Sequence, residues 1–392
     1  MSGVTKHIYE SDIADINKMW NSQIKSIKNA LPQDYSEEDV LNIVKKYYPY
    51  EWKGVDYKKI YYDKKDKAIQ KKFGKKRYKM PPTEKLFLSN GTLKSICRKS
   101  EIERYNKFFD EQARLDNENT ICKKREPKIR KIDEKINKAK AKTQSVTPAF
   151  LDQLIGFYER KNTSQKDKVY ILNELMKYYN AKVISFFFKI NDIELNKQLR
   201  EMAFYHLQSF NFQPRLRRQK YMLVHTKNKK RKEYLKKIYP FEKYDISKNP
   251  KELEYRINNG KEQSIKKYDY FISHSSKDSK SVQKLIDFEN SKGKYVFCDW
   301  INDADYLKRE LVCNETLKVI EHRLEKSDAI IFVKSENSLK SIWCNYELNF
   351  FRELNRKIYF INIEDIEEHK FELLDYAEEE YLNLEYQHLS LV

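Results

Sequence analysis

The chain has 392 residues, 35% charged and 40% hydrophobic, and a formal net charge of +19. That length allows two or three domains, and the composition is that of a globular chain with a highly charged surface. No apolar run approaches the ~18 residues of a membrane span, and the N-terminus has no apolar signal core, so no membrane association is expected and a cytoplasmic location is.

The charge is uneven. Before Lys266 lie 60 Lys and Arg against 34 Asp and Glu, whereas from Lys266 onward there are 18 against 25. Such asymmetry predicts units with different partners. Five cysteines, Cys97, Cys122, Cys298, Cys313 and Cys344, form no CxxC pair and are expected to be reduced thiols without metal or disulfide roles.

In chain order, Ile13, Ile16, Trp20, Ile24, Ile27 and Leu31 recur at helical spacing, and Pro32 stops that helix. Ser36-Glu-Glu-Asp39 reads as a capping box before Val40, Leu41, Ile43 and Val44, and Pro49 ends that helix. Lys58 to Lys79 is basic and Tyr-rich without a clear period. Ser100 is a candidate cap for a further helix. Residues 1–122 are therefore expected to be a helical basic region. The charge run within 123–146 reads as an exposed helix with a thin Ile129, Ile132, Ile136 stripe or as a hinge. Residues 147–260 are expected to be a second helical basic domain, starting at Thr147-Pro148. It contains Val183–Phe188, which periodicity leaves open between strand and buried helix.

The most basic stretch is Arg215–Lys237, with Tyr221, His225 and Tyr234 interleaved. Basic residues neutralise phosphates and aromatics stack on unpaired bases, which points to nucleic acid or an acidic protein as partner. The alternatives are a solvated charged helix pair and a face that docks the chain's own acidic unit.

From Tyr268 the pattern changes. Tyr268–Ile272, Tyr295–Cys298, Ala329–Val333 and Ile358–Ile363 read as strands, with amphipathic helices between them. That alternation predicts a parallel α/β sheet of four or five strands. Trp343 and Glu347, spaced i, i+4, share one helix face just beyond a strand's C-terminal end, where α/β sheets bind ligands. Glu347 could equally be an ordinary exposed helix carboxylate, Trp343 a core residue and His274 a structural hydrogen-bonding group. Cys344 reads as packing, because no His is placed to activate it. HExxH, Walker A and DxDxDG patterns are absent. Gly293 alone cannot make a GxGxxG, which argues against a metal site, an ATPase and a Rossmann dehydrogenase.

Three motifs in order carry a family resemblance: Phe271-Ile-Ser-His-Ser-Ser-Lys-Asp278, Cys298-Asp-Trp-Ile-Asn-Asp-Ala-Asp305 and Ser341-Ile-Trp-Cys-Asn-Tyr-Glu-Leu348. Together they resemble the Toll/interleukin-1 receptor (TIR) domain of bacterial proteins, over residues 266–392, the C-terminal third. The resemblance implies an α/β flavodoxin-like TIR domain preceded by a mostly α-helical basic region. It implies NAD⁺ as substrate rather than cofactor, hydrolysis of the nicotinamide–ribose bond to ADP-ribose or a cyclic variant, and Glu347 as the catalytic residue. Ser273, His274, Ser275, Asp299, Trp300, Trp343 and Tyr346 are the expected substrate-contacting residues. It further implies homo-oligomers built through TIR contacts, activation by assembly or by a trigger sensed by the N-terminal region, and a setting in anti-phage defence. Loop 300–309 would be the mobile loop that assembles sites between neighbouring domains. It has no Gly or Pro, where many members have one, and its helix-friendly Leu307–Glu310 predicts a short loop. The competing functions are a non-catalytic TIR scaffold and a nucleic-acid-binding sensor.

Overall fold

The computed structural model describes residues 4–212, 229–230, 233, 243–308 and 311–375. The basic stretch Arg215–Lys237 therefore lies outside the described residues, except for Lys229, Lys230 and Glu233. The chain divides into two compact units, Met1–Ile136 with Asn211–Gln213, and Asn137–Phe210 with Pro214–Val392. Among the described residues no helix is long and apolar enough to cross a membrane.

The first unit is helical: α1 (Val4–Ile27), α2 (Glu37–Tyr47), α3 (Pro49–Phe73), α4 (Thr83–Leu88), α5 (Gly91–Ile96), α6 (Lys99–Lys107) and most of α7 (Glu111–Lys140). The predicted stripe of α1 forms its core, where Trp20 meets Phe87 edge-on at 5.2 Å and Trp52 at 5.9 Å. Ser36 and Asp39 make the capping box of α2. Pro49 opens α3 in its first turn, because a missing N–H costs nothing at that position.

Helix α3 takes in the first part of the Lys58–Lys79 stretch, up to Phe73, and ends at left-handed Gly74. Beyond Lys58 its buried residues are Tyr62 and Asp66 rather than aliphatics. Asp12 accepts from Lys58 (2.7 Å) and Tyr62, and buried Asp66 accepts the backbone N–H groups of Arg77, Tyr78 and Lys79 at 2.7–2.9 Å. Helix α6 starts at Lys99, with Arg98 rather than Ser100 at the N-cap position and no side-chain cap bond. Helix α7 runs unbroken through residues 123–140 and buries no side chain.

The second unit begins with α8 (Leu151–Glu159), α9 (Gln165–Leu175), α10 (Ala181–Ile193), α11 (Lys197–Ser209), α12 (Pro250–Asn259) and α13 (Lys261–Ser264). Helix α8 starts three residues beyond Pro148. Gln144 is extended there, exchanging backbone bonds with Lys177 and Tyr179 at 2.9 Å. Val183–Phe188 is helical, started by an Asn180 cap that accepts from Val183 N at 2.9 Å.

The sheet follows: β1 (Tyr268–Ser273), β2 (Val296–Phe297), β3 (Ser327–Lys334), β4 (Lys357–Asn362) and β5 (Leu374–Asp375), in the order β2-β1-β3-β4-β5. This is the flavodoxin-like order, whose ligand crevice opens between β1 and β3 at their C-terminal ends. The sheet is not wholly parallel. β5 runs antiparallel to β4, which a short return allows because no crossover is needed. Between the strands lie α14 (Ser279–Ser291), α15 (Asp299–Asn302), α16 (Asn314–Glu325), α17 (Glu336–Leu339), α18 (Ile342–Glu353) and α19 (Ile363–Glu367). Alternate strand residues Ile272, Val296, Ile331, Val333 and Ile361 pack with Val282, Leu285 and Ile286 of α14 and Ile366 of α19. Helices α16 and α18 pack together and against β3.

The helices preceding the sheet are joined to it by buried polar contacts. The Tyr178 and Tyr295 hydroxyls bond at 2.7 Å, Gln144 Nε2 donates to Val296 O at 2.7 Å, and Lys266 pairs with Glu174 at 2.6 Å.

Candidate active site

Two loops at the sheet's C-terminal edge are stitched together first. Asp278, buried after β1, accepts from Ser335 Oγ (2.5 Å) and Asn337 Nδ2 (2.7 Å) beyond β3. The Ser335 cap starts α17, and Ser341, accepting from Cys344 N, starts α18. That start sets Trp343 in the first turn of α18 and Glu347 one turn later, over the end of β1.

Glu347 meets Ser273, the wholly buried last residue of β1, whose Oγ donates to Glu347 Oε2 at 2.6 Å. Burial pushes the Glu347 carboxyl up to about 8, against the lowering effect of the Ser273 bond, and the Asp299 charge raises it further. A carboxyl that titrates near neutrality in a crevice is a functional-site signature.

Glu347 lines a cavity of about 160 Å³. Its polar wall includes His274, Ser275, Ser276, Asp299, Thr316 and Ser341, and its apolar wall includes Phe271, Phe297, Leu307, Val312, Ile320 and Trp343. Sites that enclose a whole drug-sized ligand measure roughly 300–1,000 Å³. This one is smaller, about 160 Å³.

His274 is held on both ring nitrogens. Trp300 Nε1, which can only donate, gives its proton to His274 Nε2 at 2.9 Å, so Nδ1 carries the ring proton and faces Ile272 O at 3.1 Å. The ring is thereby fixed as a neutral orienting group without a free lone pair. His274, Cys298 and Asp299 bring three donor atoms within 4.8 Å of one another. The set does not suit a metal, since Trp300 occupies Nε2 and burial pushes the Cys298 thiol far up. Cys344 is buried beneath the site with its thiol raised to about 12, first by burial and then by the Glu347 charge.

The structure thus gathers Glu347, Ser273, His274, Ser275, Asp299 and Trp343 around one crevice, with Trp300 behind His274. Tyr346 stands apart: it is not among the cavity's lining residues, and its hydroxyl donates to Glu321 of α16. Residues that sequence reasoning missed are Thr316 and Ile320, four apart on α16, with Leu307 and Val312 before them.

The TIR domain family matches residues 271–389. A relative from Cytobacillus dafuensis, named "Putative cyclic ADP-D-ribose synthase TIR2", is 36% identical over 96% of this chain and 96% of its own. One from Bacillus cereus (strain MSX-D12), named "Probable 3′ cyclic ADP-D-ribose synthase ThsB′", is 33% identical over 32% of this chain and 62% of its own. Mouse Toll-like receptor 2 is 34% identical over 26% of this chain and 13% of its own. No solved structure matches the chain. Motifs, sheet order and a full-length relative agree: the protein belongs to the TIR-domain family.

Proposed function

We propose that the protein cleaves the nicotinamide–ribose bond of NAD⁺ and closes the product into a cyclic ADP-ribose. The observation that carries this is Glu347, one half-buried carboxyl raised to about 8 in a crevice whose apolar wall includes Phe271, Phe297 and Trp343. Cleavage sends the glycosidic electron pair to the ring nitrogen of nicotinamide, which leaves neutral, and a positive charge builds at the ribose C1′. An ionised Glu347 stabilises that charge or holds the ribose hydroxyls, and the low-polarity walls strengthen its effect. Capture of C1′ by a nucleophile within the same molecule, with loss of one proton, gives the cyclic product. Capture by water gives linear ADP-ribose. The names of the two bacterial relatives support cyclisation.

NAD⁺ carries a positive nicotinamide, so its binding favours the ionised carboxylate. Ser273 holds that carboxylate in place, and Trp343 and Phe297, on the cavity's apolar wall, would contact the nicotinamide ring. The reading extends to activation by homo-oligomer assembly through TIR contacts. The expected setting is anti-phage defence, with a trigger sensed by the basic helical region. Nucleic acid or an acidic protein at Arg215–Lys237 is the proposed trigger class.

The test is chromatography and mass analysis of NAD⁺ reactions with the full chain and with Glu347→Ala. The native chain should release nicotinamide and a cyclic ADP-ribose, and the variant neither. Intact NAD⁺ with clustered native protein would instead favour a non-catalytic scaffold.

A further inference from the structure

The turn that carries Asp299 and Trp300 is fixed from behind, and mostly from outside the α/β sheet. Asp303, immediately after α15, is wholly buried. Its carboxylate accepts from Arg323 Nε at 2.8 Å and Nη2 at 3.4 Å, and Lys177 Nζ lies 3.5 Å away. Arg323 is equally buried, and its Nη2 also donates to Gln263 Oε1 at 2.9 Å. Gln263 in turn donates to Glu174 at 3.0 Å. One residue before Asp303, Asn302 Oδ1 accepts from Cys298 N (2.8 Å) and from Gln144 Nε2 (3.2 Å). Three residues after it, buried Tyr306 packs in a cluster with Leu253 and Ile257 of α12. Gln144, Lys177, Gln263, Leu253 and Ile257 all belong to the segment before β1.

Burial works to raise the Asp303 carboxyl, yet Arg323, Lys177 and Lys266 hold it well below the usual carboxylate range. A buried charge cluster adds little stability compared with an apolar packing of the same volume, but it admits few geometries. Its rigidity runs straight into the site. Asp303 N donates to Asp299 O at 2.9 Å, and Tyr306 N and Leu307 N both donate to Asp303 O, at 2.8 and 3.0 Å. Leu307 lines the cavity, and Trp300, between Asp299 and Asp303, is the donor that fixes His274.

We propose that Asp303 is a positioning residue for NAD⁺ cleavage, through which the helical layer of Gln144 and α8–α13 sets the Asp299–Trp300 turn and, by way of it, His274 and the mouth of the Glu347 cavity. The helical layer is on this account a working part of the site's loop, not only a carrier of the α/β domain. The catalytic half rests on the NAD⁺ reading above; the structural half does not.

The experiment is fluorine NMR of the full chain labelled with 5-fluorotryptophan, beside steady-state NAD⁺ kinetics. Four tryptophans give four signals, and Trp20 and Trp52, in the first unit, serve as internal references. Asp303→Asn should shift or broaden the Trp300 signal, identified with Trp300→Phe, while leaving the references unmoved. It should also lower kcat about tenfold or more with KM changed by less than about threefold. Asp303→Glu, which keeps the charge, should recover most of the rate. A Trp300 signal unmoved in Asp303→Asn, even with a lowered melting temperature, overturns the proposal. If Asp303→Asn does not fold, Lys177→Met removes the helical layer's own cation from the cluster, and its Trp300 signal must move in the same way or the proposal fails. A native chain that leaves NAD⁺ intact even when clustered removes the NAD⁺ reading, and the fluorine signal still decides whether the layer sets the turn.

Discussion

Replacing Glu347 with Gln should abolish NAD⁺ cleavage and stabilise the fold, with a gain that grows with pH. Glutamine keeps the shape and can still pair with Ser273, but it has no charge to desolvate. The native carboxyl is raised from 4.5 to about 8. A raised acid binds more protons folded than unfolded between those values, so native stability falls as pH rises through that window. With one unit equal to ~1.4 kcal/mol, the ceiling is about 3 kcal/mol at pH 7 and about 5 above pH 9. Partial solvent access to Glu347 reduces this to roughly 1–3 kcal/mol. For a unit of this size that is roughly 2–10 °C in the melting temperature of the second unit at pH 9, shrinking towards zero near pH 4. Thermal melts of both proteins between pH 4.5 and 9 measure it. A pH-independent difference, or a less stable Gln variant at pH 9, would refute the claim that Glu347 is held in a desolvated site.

Further outcomes follow from the same contacts. The kcat/KM of the native chain should rise with pH and level off near 8, the free-site value of Glu347. Ser273→Ala removes the bond that lowers this value, so the rising limb should move to higher pH; a limb that stays or moves down contradicts the assignment. Tyr346→Phe loses only its bond to Glu321 and should leave NAD⁺ turnover within about twofold, whereas Trp343→Ala, which opens the cavity wall, should raise KM by about tenfold or more. Trp20→Ala should cost about 3–5 kcal/mol in the first unit's transition, read by calorimetry, because the ring is wholly buried against Trp52 and Phe87.

Some of the misread segments share a cause. The helical part of the Lys58–Lys79 stretch, up to Phe73, is invisible to apolar periodicity because Tyr62 and Asp66 are its buried residues, and their partners Asp12 and Tyr78 lie outside the helix. Thr147-Pro148 has the local chemistry of a helix start, but Gln144 is committed to Val296 and Asn302 some 150 positions later, which keeps that entry extended. Val183–Phe188 needed the Asn180 cap and a packed environment to decide between strand and helix. The antiparallel β5 is two residues long, too short for any pattern to announce.

What the sequence by itself determined is what local spacing can encode. The short apolar runs and period-3.6 stretches after Tyr268 gave the alternating strands and helices, and the i, i+4 pair Trp343 and Glu347 gave a helix face aimed at a strand end. The three motifs tied that face to a family. Tertiary structure alone decided how the carboxylate is tuned and how its loop is held. Ser273 reaches Glu347 across 74 residues, Trp300 fixes His274 across 26, and Gln263 meets Arg323 across 60. No local pattern records such pairings, because each is set by sheet order and by the burial that makes an unpaired polar group costly. The basic helices before the strands read as a helical basic domain, with a solvated face and a face docking the acidic unit both left open. Folding buries Lys266, Glu174, Asp303 and Arg323 together, because opposite charges can leave water only when each meets its partner.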